Sequence, residues 1–528
     1  MRRRASAFVH SMNCGGKEQL VLVSKWAFVL AAPHSGSGKT TVTLSILAAL
    51  RRRGLKVQPF KVGPDFIDPG LHRRVTGEIS RNLDGWMLSR ETNWAIFRRW
   101  IAAADGAVVE GVMGLFDGYD GTTEAGSTAE MAKWLNIPVV LVVDARSMAR
   151  SVAALVQGFC FFDPDLRCAG VLFNRVGSDA HLAFLREAMT AHLPHIPVLG
   201  GFPREESLRL PERHLGLVTA EESPFDAKDL DRLAHFAETH MELDQLLQVT
   251  QVTLNEHRAP SKTKAPSPSF VVPGTAASSL WLQGSDKTPA SSDQEDRSGT
   301  QADTRGGLWK SRKPVIAVAR DAVFCFYYQD NLDLLEAYGA RLRFFSPLAG
   351  ETVPDDAAAL YLGGGYPEEH ATTLRRNDRF FADVQKFAQS GRPVYAECGG
   401  LMVLSRHITL VSGERVPMAG ILPFGTRMLS RRKALGYVEV VLTRPCLLGE
   451  PGRHVRGHEF HYSEIDDAEG WQGAYSYCYR LRARKCREEQ NEGYQVGSVL
   501  ASYVHLHWGS APQAAACFVA AAAKASCS

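Results

Sequence analysis

Ala27-Phe-Val-Leu-Ala-Ala-Pro-His-Ser-Gly-Ser-Gly-Lys-Thr-Thr41 decides the fold, because an apolar strand runs here into a glycine-rich loop and a helix follows. Glycines let the loop curl until successive backbone N–H groups face a phosphate, and the helix N-terminus adds its dipole. Lys39 is expected to reach the β- and γ-phosphates, and the Thr40 hydroxyl to hold Mg²⁺. Pro33 stands where the strict pattern has glycine, so this is a variant P-loop. The residues predicted to bind ATP here are Ser35, Gly36, Ser37, Gly38, Lys39, Thr40 and Thr41.

Apolar runs alternate with longer mixed segments after this loop. Residues 107–110, 138–144 and 168–174 are predicted to form buried parallel strands, and Thr40–Arg53 a helix. This rhythm indicates an α/β fold, in which helices cover both faces of an open parallel sheet.

A change of composition divides the chain. Small and polar residues dominate from 248 to 313 without periodicity, and we expect a disordered linker or surface insertion there. The α/β rhythm then returns, with predicted strands at 315–319, 360–362 and 393–396. The predicted organisation is an N-terminal extension, a P-loop domain, the linker and a second α/β domain, at 1–25, 26–247, 248–313 and 314–528.

Composition excludes several classes of protein. The 528 residues include 60 Lys and Arg against 57 Asp and Glu, a net charge of +3, which argues against a nucleic-acid coat. None of the 10 cysteines forms a Cys-x-x-Cys pair, so a zinc ribbon has no support and reduced thiols in a cytosol fit better. No apolar run approaches the ~18–20 residues of a spanning helix, and charged residues interrupt the segment after the basic start. A cytoplasmic protein is therefore expected.

Polar clusters follow four of the first domain's predicted strands, where P-loop folds gather their sites. They are Lys61-Val-Gly-Pro-Asp-Phe-Ile-Asp68, which follows an apparent strand at Lys56–Phe60, and Glu110-Gly-Val-Met-Gly-Leu-Phe-Asp117, Asp144-Ala-Arg146 and Asn174-Arg175. A carboxylate just beyond a buried strand needs a partner, and a nucleotide-bound metal supplies one. Any one of these acids alone is more often a helix cap or a loop residue, but their arrangement around a P-loop favours a site. Glu110 is the best candidate for a Mg²⁺ ligand.

The second domain contains a cysteine elbow. In Val394-Tyr-Ala-Glu-Cys-Gly-Gly-Leu-Met-Val-Leu404 a strand meets a helix at Cys398, and the sharp turn exposes a nucleophile. The helix N-terminus is expected to favour the thiolate, and the Gly399 N–H to stabilise an oxyanion. A second glycine loop, Leu362–Glu368, is suited to the other half of the oxyanion hole through Gly364.

A nucleophilic thiol needs a base, and two histidine pairs are available. They are His458 with His461, and His505 with His507. A single histidine is more often structural. The residues themselves leave the choice among the four open.

Together these motifs resemble the cobyrinate a,c-diamide synthase family of vitamin B12 synthesis. The likeness is carried, in the family's order, by the variant P-loop, the Lys61–Asp68 and Glu110–Asp117 segments, Ala396-Glu-Cys-Gly-Gly400, His458-Glu-Phe-His-Tyr-Ser463 and Ala501-Ser-Tyr-Val-His-Leu-His507. The resemblance implies a dethiobiotin-synthetase-like P-loop domain, followed by a flavodoxin-like class I glutamine amidotransferase domain.

The resemblance also implies roles for individual residues. Cys398 is then the glutaminase nucleophile and His505 its base. His507 stands where many class I amidotransferases carry an acid, so a Cys–His dyad is expected. Other positions match family residues around ATP, metal and the tetrapyrrole carboxylates. Lys61 is then a catalytic residue, and Thr40, Asp65 and Glu110 are the metal ligands. The substrate-binding residues are Asp65, Asp68, Glu110 and Asp117. Asn174 matches the residue that reads adenine.

The implied reaction is ATP-dependent amidation of the a- and c-acetate carboxylates of cobyrinate or hydrogenobyrinate. Glutamine or ammonia supplies the nitrogen, acyl phosphates are the intermediates, ATP is a co-substrate and Mg²⁺ the cofactor. Partners are then small molecules, without nucleic acid or membrane, and a homodimer is left open.

Two rival interpretations remain at this point. A sister amidase would be a nickel-sirohydrochlorin a,c-diamide synthase or cobyric acid synthase; Phe66 with Asp65 and Asp68 favours the a,c-diamide group. A P-loop partitioning ATPase with an inactive amidotransferase domain is the more remote rival. Such ATPases usually have a signature lysine near the start of the loop, where this chain has His34.

Overall fold

The computed structural model describes residues 21–205, 226–256, 313–466, 473–483 and 488–526, with Leu208, Glu212–Arg213 and Gly216–Leu217. The chain divides into two compact units, one on each side of the 257–312 segment. Each unit is described by itself.

An eight-stranded sheet forms the first unit. Seven strands run parallel in the order β3-β2-β4-β1-β5-β6-β7, and β10 adds to β1 in the antiparallel direction. A two-stranded ribbon, β8 with β9, lies outside this sheet. The strands are β1 (Val21–Ala31), β2 (Val57–Val62), β3 (Arg81–Leu83), β4 (Gly106–Glu110), β5 (Val139–Asp144), β6 (Cys168–Val176), β7 (Val198–Pro203), β8 (Glu212–Arg213), β9 (Gly216–Leu217) and β10 (Gln251–Glu256).

In the described part of this unit, eight α-helices connect and cover these strands. They are α1 (Lys39–Arg52), α2 (Ile67–Thr76), α3 (Arg90–Ile101), α4 (Thr128–Leu135), α5 (Ser151–Phe161), α6 (Asp179–His192), α7 (Ala227–His240) and α8 (Leu243–Val249). From Ala27 to Ala31, β1 is buried on both faces, which explains why this stretch is apolar without alternation. The sheet therefore presents the end of its central strand to the P-loop.

The second unit is built on a ten-stranded mixed sheet and a four-stranded sheet. The order of the first is β12-β11-β13-β14-β23-β22-β21-β18-β19-β24, and that of the second β16-β15-β17-β20. The strands are β11 (Val315–Ala319), β12 (Arg341–Phe345), β13 (Ala359–Leu362), β14 (Val394–Glu397), β15 (His407–Thr409), β16 (Arg415–Pro417), β17 (Gly425–Met428), β18 (Ala434–Leu442), β19 (His454–His461), β20 (Ser463–Asp466), β21 (Ser476–Ala483), β22 (Gln490–Val496), β23 (Val499–Ser502) and β24 (His505–Leu506).

The first five strands of the large sheet pair in parallel, β12-β11-β13-β14-β23. This is the flavodoxin strand order, so the predicted flavodoxin-like fold is confirmed. The helices are α9 (Gln329–Ala337), α10 (Ala371–Arg375), α11 (Asp378–Gln389), α12 (Gly399–Leu404) and α13 (Gln513–Ala525). The strand β14 is central and buried, and it leads directly into Cys398.

The predicted strands at the P-loop and at 107–110, 138–144, 168–174, 315–319, 360–362 and 393–396 are confirmed, as is the helix after the P-loop. Two limits differ. The first strand begins at Val21, inside the predicted extension, because β10 pairs with it from Val21 to Trp26. Helix α8 and β10 also continue past residue 247 into the predicted linker, whose remainder from 257 to 312 lies outside the described residues.

Two cysteines of the first unit lie side by side. The Cα atoms of Cys160 and Cys168 are 5.5 Å apart, a spacing compatible with a disulfide, and the reduced state of the thiols stays a prediction. The two residues lie at the end of α5 and the start of β6, close enough to bond across their short connection. Within the described ranges, none of the helices combines the length and the apolar character needed to cross a bilayer.

Candidate active sites

The P-loop lies between β1 and α1. Gly38 caps α1 with φ +88, a conformation that favours glycine, and a Cβ there would meet the Nδ2 of Asn174 at 2.1 Å. Ser37 Oγ donates to the carbonyl of His34 at 2.9 Å, which ties the loop to itself. The loop is therefore shaped for close approach of a ligand to its backbone.

Lys39 lies over this loop. Its ammonium donates to the Met113 carbonyl at 2.5 Å and, more weakly, to that of His34 at 3.5 Å. Burial and the repulsion of nearby Lys61 lower the pKa of Lys39 to about 8. A phosphate at this position would raise the pKa of Lys39 again, because an anion favours the protonated amine.

Glu110, at the end of β4, is where three polar side chains converge. Its Oε1 accepts from the Thr40 hydroxyl at 2.8 Å and from Lys61 Nζ at 3.1 Å, and its Oε2 lies 2.7 Å from His72 Nε2. The carboxylate is fully buried. Burial alone would raise the pKa of Glu110, but the Lys61 charge and the His72 hydrogen bond outweigh it and hold the pKa well below its usual range.

Lys61 is buried among three acids. Its Nζ lies 2.6 Å from Asp68, 3.1 Å from Glu110 and 4.0 Å from Asp65. Burial opposes the charge of Lys61, yet the attraction of Asp68 and Glu110 is greater and raises its pKa. Burial, together with repulsion from Asp65, raises the pKa of Asp68. Sequence reasoning placed these four side chains together, and the structure brings them together.

Two further residues support this cluster and were missed from the sequence. Asn82 Nδ2 donates to the carbonyls of Gly63 at 2.8 Å and Asp65 at 2.7 Å, which fixes the loop that carries Asp65. His72 is buried, and its second nitrogen lies 3.1 Å from Ser80 Oγ. A signal for His72 was available, since it follows Asp68 by four residues on one helix and so lies on the same face.

The two remaining predicted residues of this unit contact the loops beside the cluster. Asp117 Oδ2 accepts from the Gly114 N–H at 2.9 Å. Asn174 Nδ2 donates to the Ser37 carbonyl at 2.9 Å, so this amide already holds the P-loop. Asn174 therefore lines the cavity beside the P-loop, whereas Asp117 holds the loop at Gly114.

A cavity of about 940 Å³ opens over these groups. Its lining includes the P-loop residues Ser35, Gly36, Gly38, Lys39, Thr40 and Thr41, then Lys61, Asp65, Glu110, Arg146, Asn174 and Arg175. Asp68 and Asp117 are not part of that lining. The volume is ample for a nucleotide, because small-molecule sites commonly span roughly 300–1,000 Å³.

The residues present fit Mg²⁺. Thr40 Oγ1 and Glu110 Oε1 are hard oxygen donors 2.8 Å apart beside the phosphate position. Nowhere in the described part of the chain do three His, Cys, Asp or Glu side chains form a ready-made metal cluster. Mg²⁺ usually takes only one or two carboxylates and completes its shell with water and phosphate, so two protein ligands are enough. Asp65, on the cavity wall, is the third predicted ligand.

In the second unit Cys398 forms a strained elbow between β14 and α12. Its φ of +47 and ψ of −102 are unusual for a residue with a side chain, and such strain costs about 1–3 kcal/mol. The Cys398 N–H donates to the Ser502 carbonyl at 2.7 Å, which holds the turn. A Cβ at Gly400 would meet the Leu362 carbonyl at 2.3 Å, so the Gly-Gly pair is required for the close packing of this turn.

The thiol differs from expectation in its charge. Burial raises the pKa of Cys398, and the carboxylate of Glu368 raises it further. A hydrogen bond from the Gly399 backbone lowers the pKa but is outweighed. The helix N-terminus therefore favours the thiolate, as predicted, but burial of the sulfur has the larger effect and keeps the thiol pKa raised. The resting thiol is protonated and needs a base.

The four candidate histidines have different surroundings. His505 Nδ1 lies 4.0 Å from Glu397 Oε2, and a Cβ at Gly364 would meet the His505 ring at 2.3 Å. His461 stacks on Tyr503 at 4.1 Å. His507 Nδ1 accepts from the Gly509 N–H at 3.2 Å. His458 pairs with His505 across β19 and β24.

Cys398 and His505 flank the same glycine loop. A Cβ at Gly399 would lie 3.0 Å from the Gly365 nitrogen, while Gly364 lies against the His505 ring. Cys398 Sγ also lies 3.9 Å from the Phe460 carbonyl on β19, the strand that pairs with His505. The loop amide that lies beside Gly399 is therefore the N–H of Gly365. The predicted oxyanion donor, Gly364, is one residue earlier in the loop.

Comparison with known proteins matches each unit to a family. Residues 28–218 match the CobQ/CobB/MinD/ParA nucleotide binding domain, and residues 315–513 the CobB/CobQ-like glutamine amidotransferase domain. The chain is 46% identical over 496 residues to cobyrinate a,c-diamide synthase of Syntrophotalea carbinolica, covering 93% of this chain and 97% of the relative. The Salmonella typhimurium protein of that name is 40% identical over 496 residues, covering 94% and 98%. That of Leptospira interrogans is 38% identical over 491 residues, covering 93% and 97%.

Proposed function

Because the chain belongs to the cobyrinate a,c-diamide synthase family, we propose a division of its reaction between the two units. The chain is an ATP-dependent, glutamine-hydrolysing amido-ligase that acts in cobalamin biosynthesis. The second unit releases ammonia from glutamine, and the first activates the a- and c-acetate carboxylates of the tetrapyrrole. Whole-length likeness to these synthases disfavours a partitioning ATPase with an inactive second domain.

Glutamine hydrolysis begins at Cys398. His505 takes the thiol proton while the sulfur attacks the side-chain amide carbon of glutamine. The oxyanion accepts hydrogen bonds from the N–H of Gly399 and from the glycine loop. In that loop the predicted donor is Gly364, and the N–H of Gly365 lies beside it. The proton then passes from His505 to the departing nitrogen, the C–N bond breaks, and ammonia leaves a thioester that water converts to glutamate.

Carboxylate activation takes place beside the P-loop. A substrate carboxylate oxygen attacks the γ-phosphorus of ATP, the bond to ADP breaks, and an acyl phosphate forms. Lys39 neutralises charge on the transferring group, and Lys61 holds the attacking carboxylate against the repulsion of two anions. Thr40 and Glu110, with Asp65, would hold Mg²⁺, which supplies charge neutralisation at the phosphates. Asp68 and Asp117 orient the substrate end of the site, and Asn174 the adenine end.

Ammonia then attacks the acyl carbon, phosphate leaves, and an amide remains. Two such cycles give the a,c-diamide. A cytoplasmic location and a homodimer remain predictions from the sequence.

The observation that carries this proposal is that one chain contains both a Thr40–Glu110 pair on a P-loop and a Cys398 elbow beside a glycine loop. Incubation with ATP, Mg²⁺, glutamine and cobyrinate should give two added amides by mass analysis. Hydrogenobyrinate and nickel-sirohydrochlorin complete the substrate panel and test the ring and its metal. A chain that hydrolyses ATP without amidating any of the three would contradict the proposal.

Cys398→Ala tests the division of labour. This variant should lose synthesis from glutamine and retain synthesis from ammonia. Loss of both in a folded variant would show that the thiol also serves the synthetase reaction.

A further inference from the structure

Glu397, the residue before the nucleophile, faces the proposed base. Its Oε2 lies 4.0 Å from Nδ1 of His505, and both side chains are at most 2% exposed. Its Oε1 accepts from the N–H of Leu506 at 3.1 Å, so the same carboxylate also holds the backbone next to His505. We infer that Glu397 is the positioning residue of His505. This inference rests on the proposed glutaminase activity, and it adds a third residue to the expected Cys398–His505 dyad.

The carboxylate of Glu397 is itself fixed. Tyr395 donates its hydroxyl to Oε1 at 2.8 Å, and Tyr361 donates to Oε2 at 3.1 Å. The two phenol rings pack on Trp508 at 5.4 and 5.6 Å between ring centroids. All three aromatic side chains are fully buried. A carboxylate held by three donors keeps one orientation, as a positioning group requires.

His507, which stands two residues after the base, contacts other groups. Its ring packs on Tyr328 at 4.6 Å, and its Nδ1 accepts from Gly509. Glu397 lies 4.0 Å from the His505 ring, and repulsion from His458 and His461 acts on a charge at His505. Glu397 is the acid among these three neighbours. The negative charge that an imidazolium requires therefore comes from the nucleophile's own strand.

The chemistry of the transfer explains why that charge matters. Burial lowers the pKa of His505 to about 3, so an unassisted imidazole there is a weak base. When the Cys398 proton reaches Nε2, the other nitrogen carries its hydrogen toward Glu397. The carboxylate then stabilises the imidazolium and keeps Nε2 directed at the reacting sulfur, until the proton moves to the departing ammonia.

Glu397→Gln tests this role because it keeps the shape and removes the charge. In chains of normal stability, glutaminase kcat should fall by at least ~100-fold while KM for glutamine changes less than ~3-fold, as expected for a group that acts through the base. The ¹⁵N spectrum of the His505 ring should show a changed tautomer and a shifted titration. Synthesis from ammonia should be unchanged.

Glu492→Gln is the matched control. Glu492 is also buried, accepts from Ser502 Oγ at 2.7 Å and from the Tyr503 N–H at 2.8 Å, and lies on β22. Its replacement should leave kcat within ~3-fold of the parent enzyme and the His505 spectrum unchanged. Equal effects of the two substitutions on kcat and on the spectrum would overturn the inference, because a structural role alone would explain them.

Tyr395→Phe keeps the inference testable if Glu397→Gln does not fold. Loss of one hydroxyl loosens the carboxylate, and kcat should fall by roughly 10-fold with a shifted pH profile. In that case a parent-like kcat and pH profile in Tyr395→Phe would disprove the role of Glu397. A different result would contradict the proposed function itself, namely glutamine-dependent synthesis that persists in Cys398→Ala.

Discussion

The hydroxyl of Thr40 donates to the carboxylate of Glu110 at 2.8 Å, joining the first turn of α1 to the end of β4. Neither residue is near the other in sequence. The pairing arises because β4 lies beside β1 in the sheet, so the segments after both strands end at the same edge. The contact turns one Glu110 oxygen toward the phosphate position, while His72 holds the other.

Thr40→Ala should therefore lower synthesis by about 100-fold with either glutamine or ammonia, because one proposed metal ligand and the orientation of Glu110 are both lost. Glutaminase activity should be unaffected. Thr40→Ser retains the hydroxyl and is the matched control, expected within ~3-fold of the parent enzyme. Mass analysis of the amidated product measures both. Parent-like synthesis by Thr40→Ala would remove this hydroxyl from the reaction.

Lys61→Met should destabilise the first unit as well as inactivate it. The substitution leaves Asp68 and Glu110 buried without their shared cation, which costs about 3–5 kcal/mol in free energy of unfolding. Adding Asp68→Asn removes one of the unpaired charges, so part of that stability should return while synthesis stays absent. Urea unfolding and product assays on the single and double variants test this. A double variant no more stable than Lys61→Met would contradict the charge argument.

Gly38→Ala should abolish ATP binding because two effects combine. The new Cβ would lie 2.1 Å from Asn174 Nδ2, and φ is +88. Gly54→Ala separates them: φ there is +80, but no atom lies within 4 Å of the new Cβ. We expect Gly54→Ala to cost about 1–2 kcal/mol of stability and to bind ATP normally. Calorimetric titration with ATP measures the difference, and equal binding by the two variants would refute a steric role for Gly38.

Much of this architecture was predictable from the sequence because its signals are local. The apolar run before the P-loop and the Cys398 elbow each carry their fold within about a dozen residues, and the structure confirms both elements. Such patterns also placed Lys61 and Glu110 at the carboxyl ends of strands, and the structure shows that these two strands are neighbours.

The parts that were missed depend on tertiary packing. The charge of Cys398 is set by burial, which no local motif reports. Glu397 and His505 are 108 positions apart in sequence, and they meet because β14 pairs with β23, three residues before the base. Asn82 similarly acts through two backbone carbonyls of a distant loop, and a single asparagine in the sequence gives no sign of that.

Acid sensitivity of the second unit follows from its buried ionisable groups. Burial lowers the pKa of His507 to about 3, so the native state keeps this ring neutral. The unfolded chain binds a proton below about pH 6.5, and the stability contributed by the neutral ring is therefore full above that pH and lost as the pH falls toward 3.

Glu397 and Glu492 act in the opposite direction. Burial raises each pKa to about 7, so the native state gains protons between about pH 7 and 4.5.

His507→Asn isolates one of these opposing effects, because both glutamates remain and the Asn oxygen can accept from Gly509 as the ring nitrogen does. Going from pH 7 to pH 5, the variant should lose less stability than the parent by about 2 kcal/mol. Hydrogen exchange of peptides spanning 490–526 measures this difference locally. His195→Asn, at an exposed position of the first unit, is the control and should follow the parent. A His507 variant with the parent's pH dependence would show that the ring takes up its proton without unfolding, in a pocket more open to water than its complete burial implies.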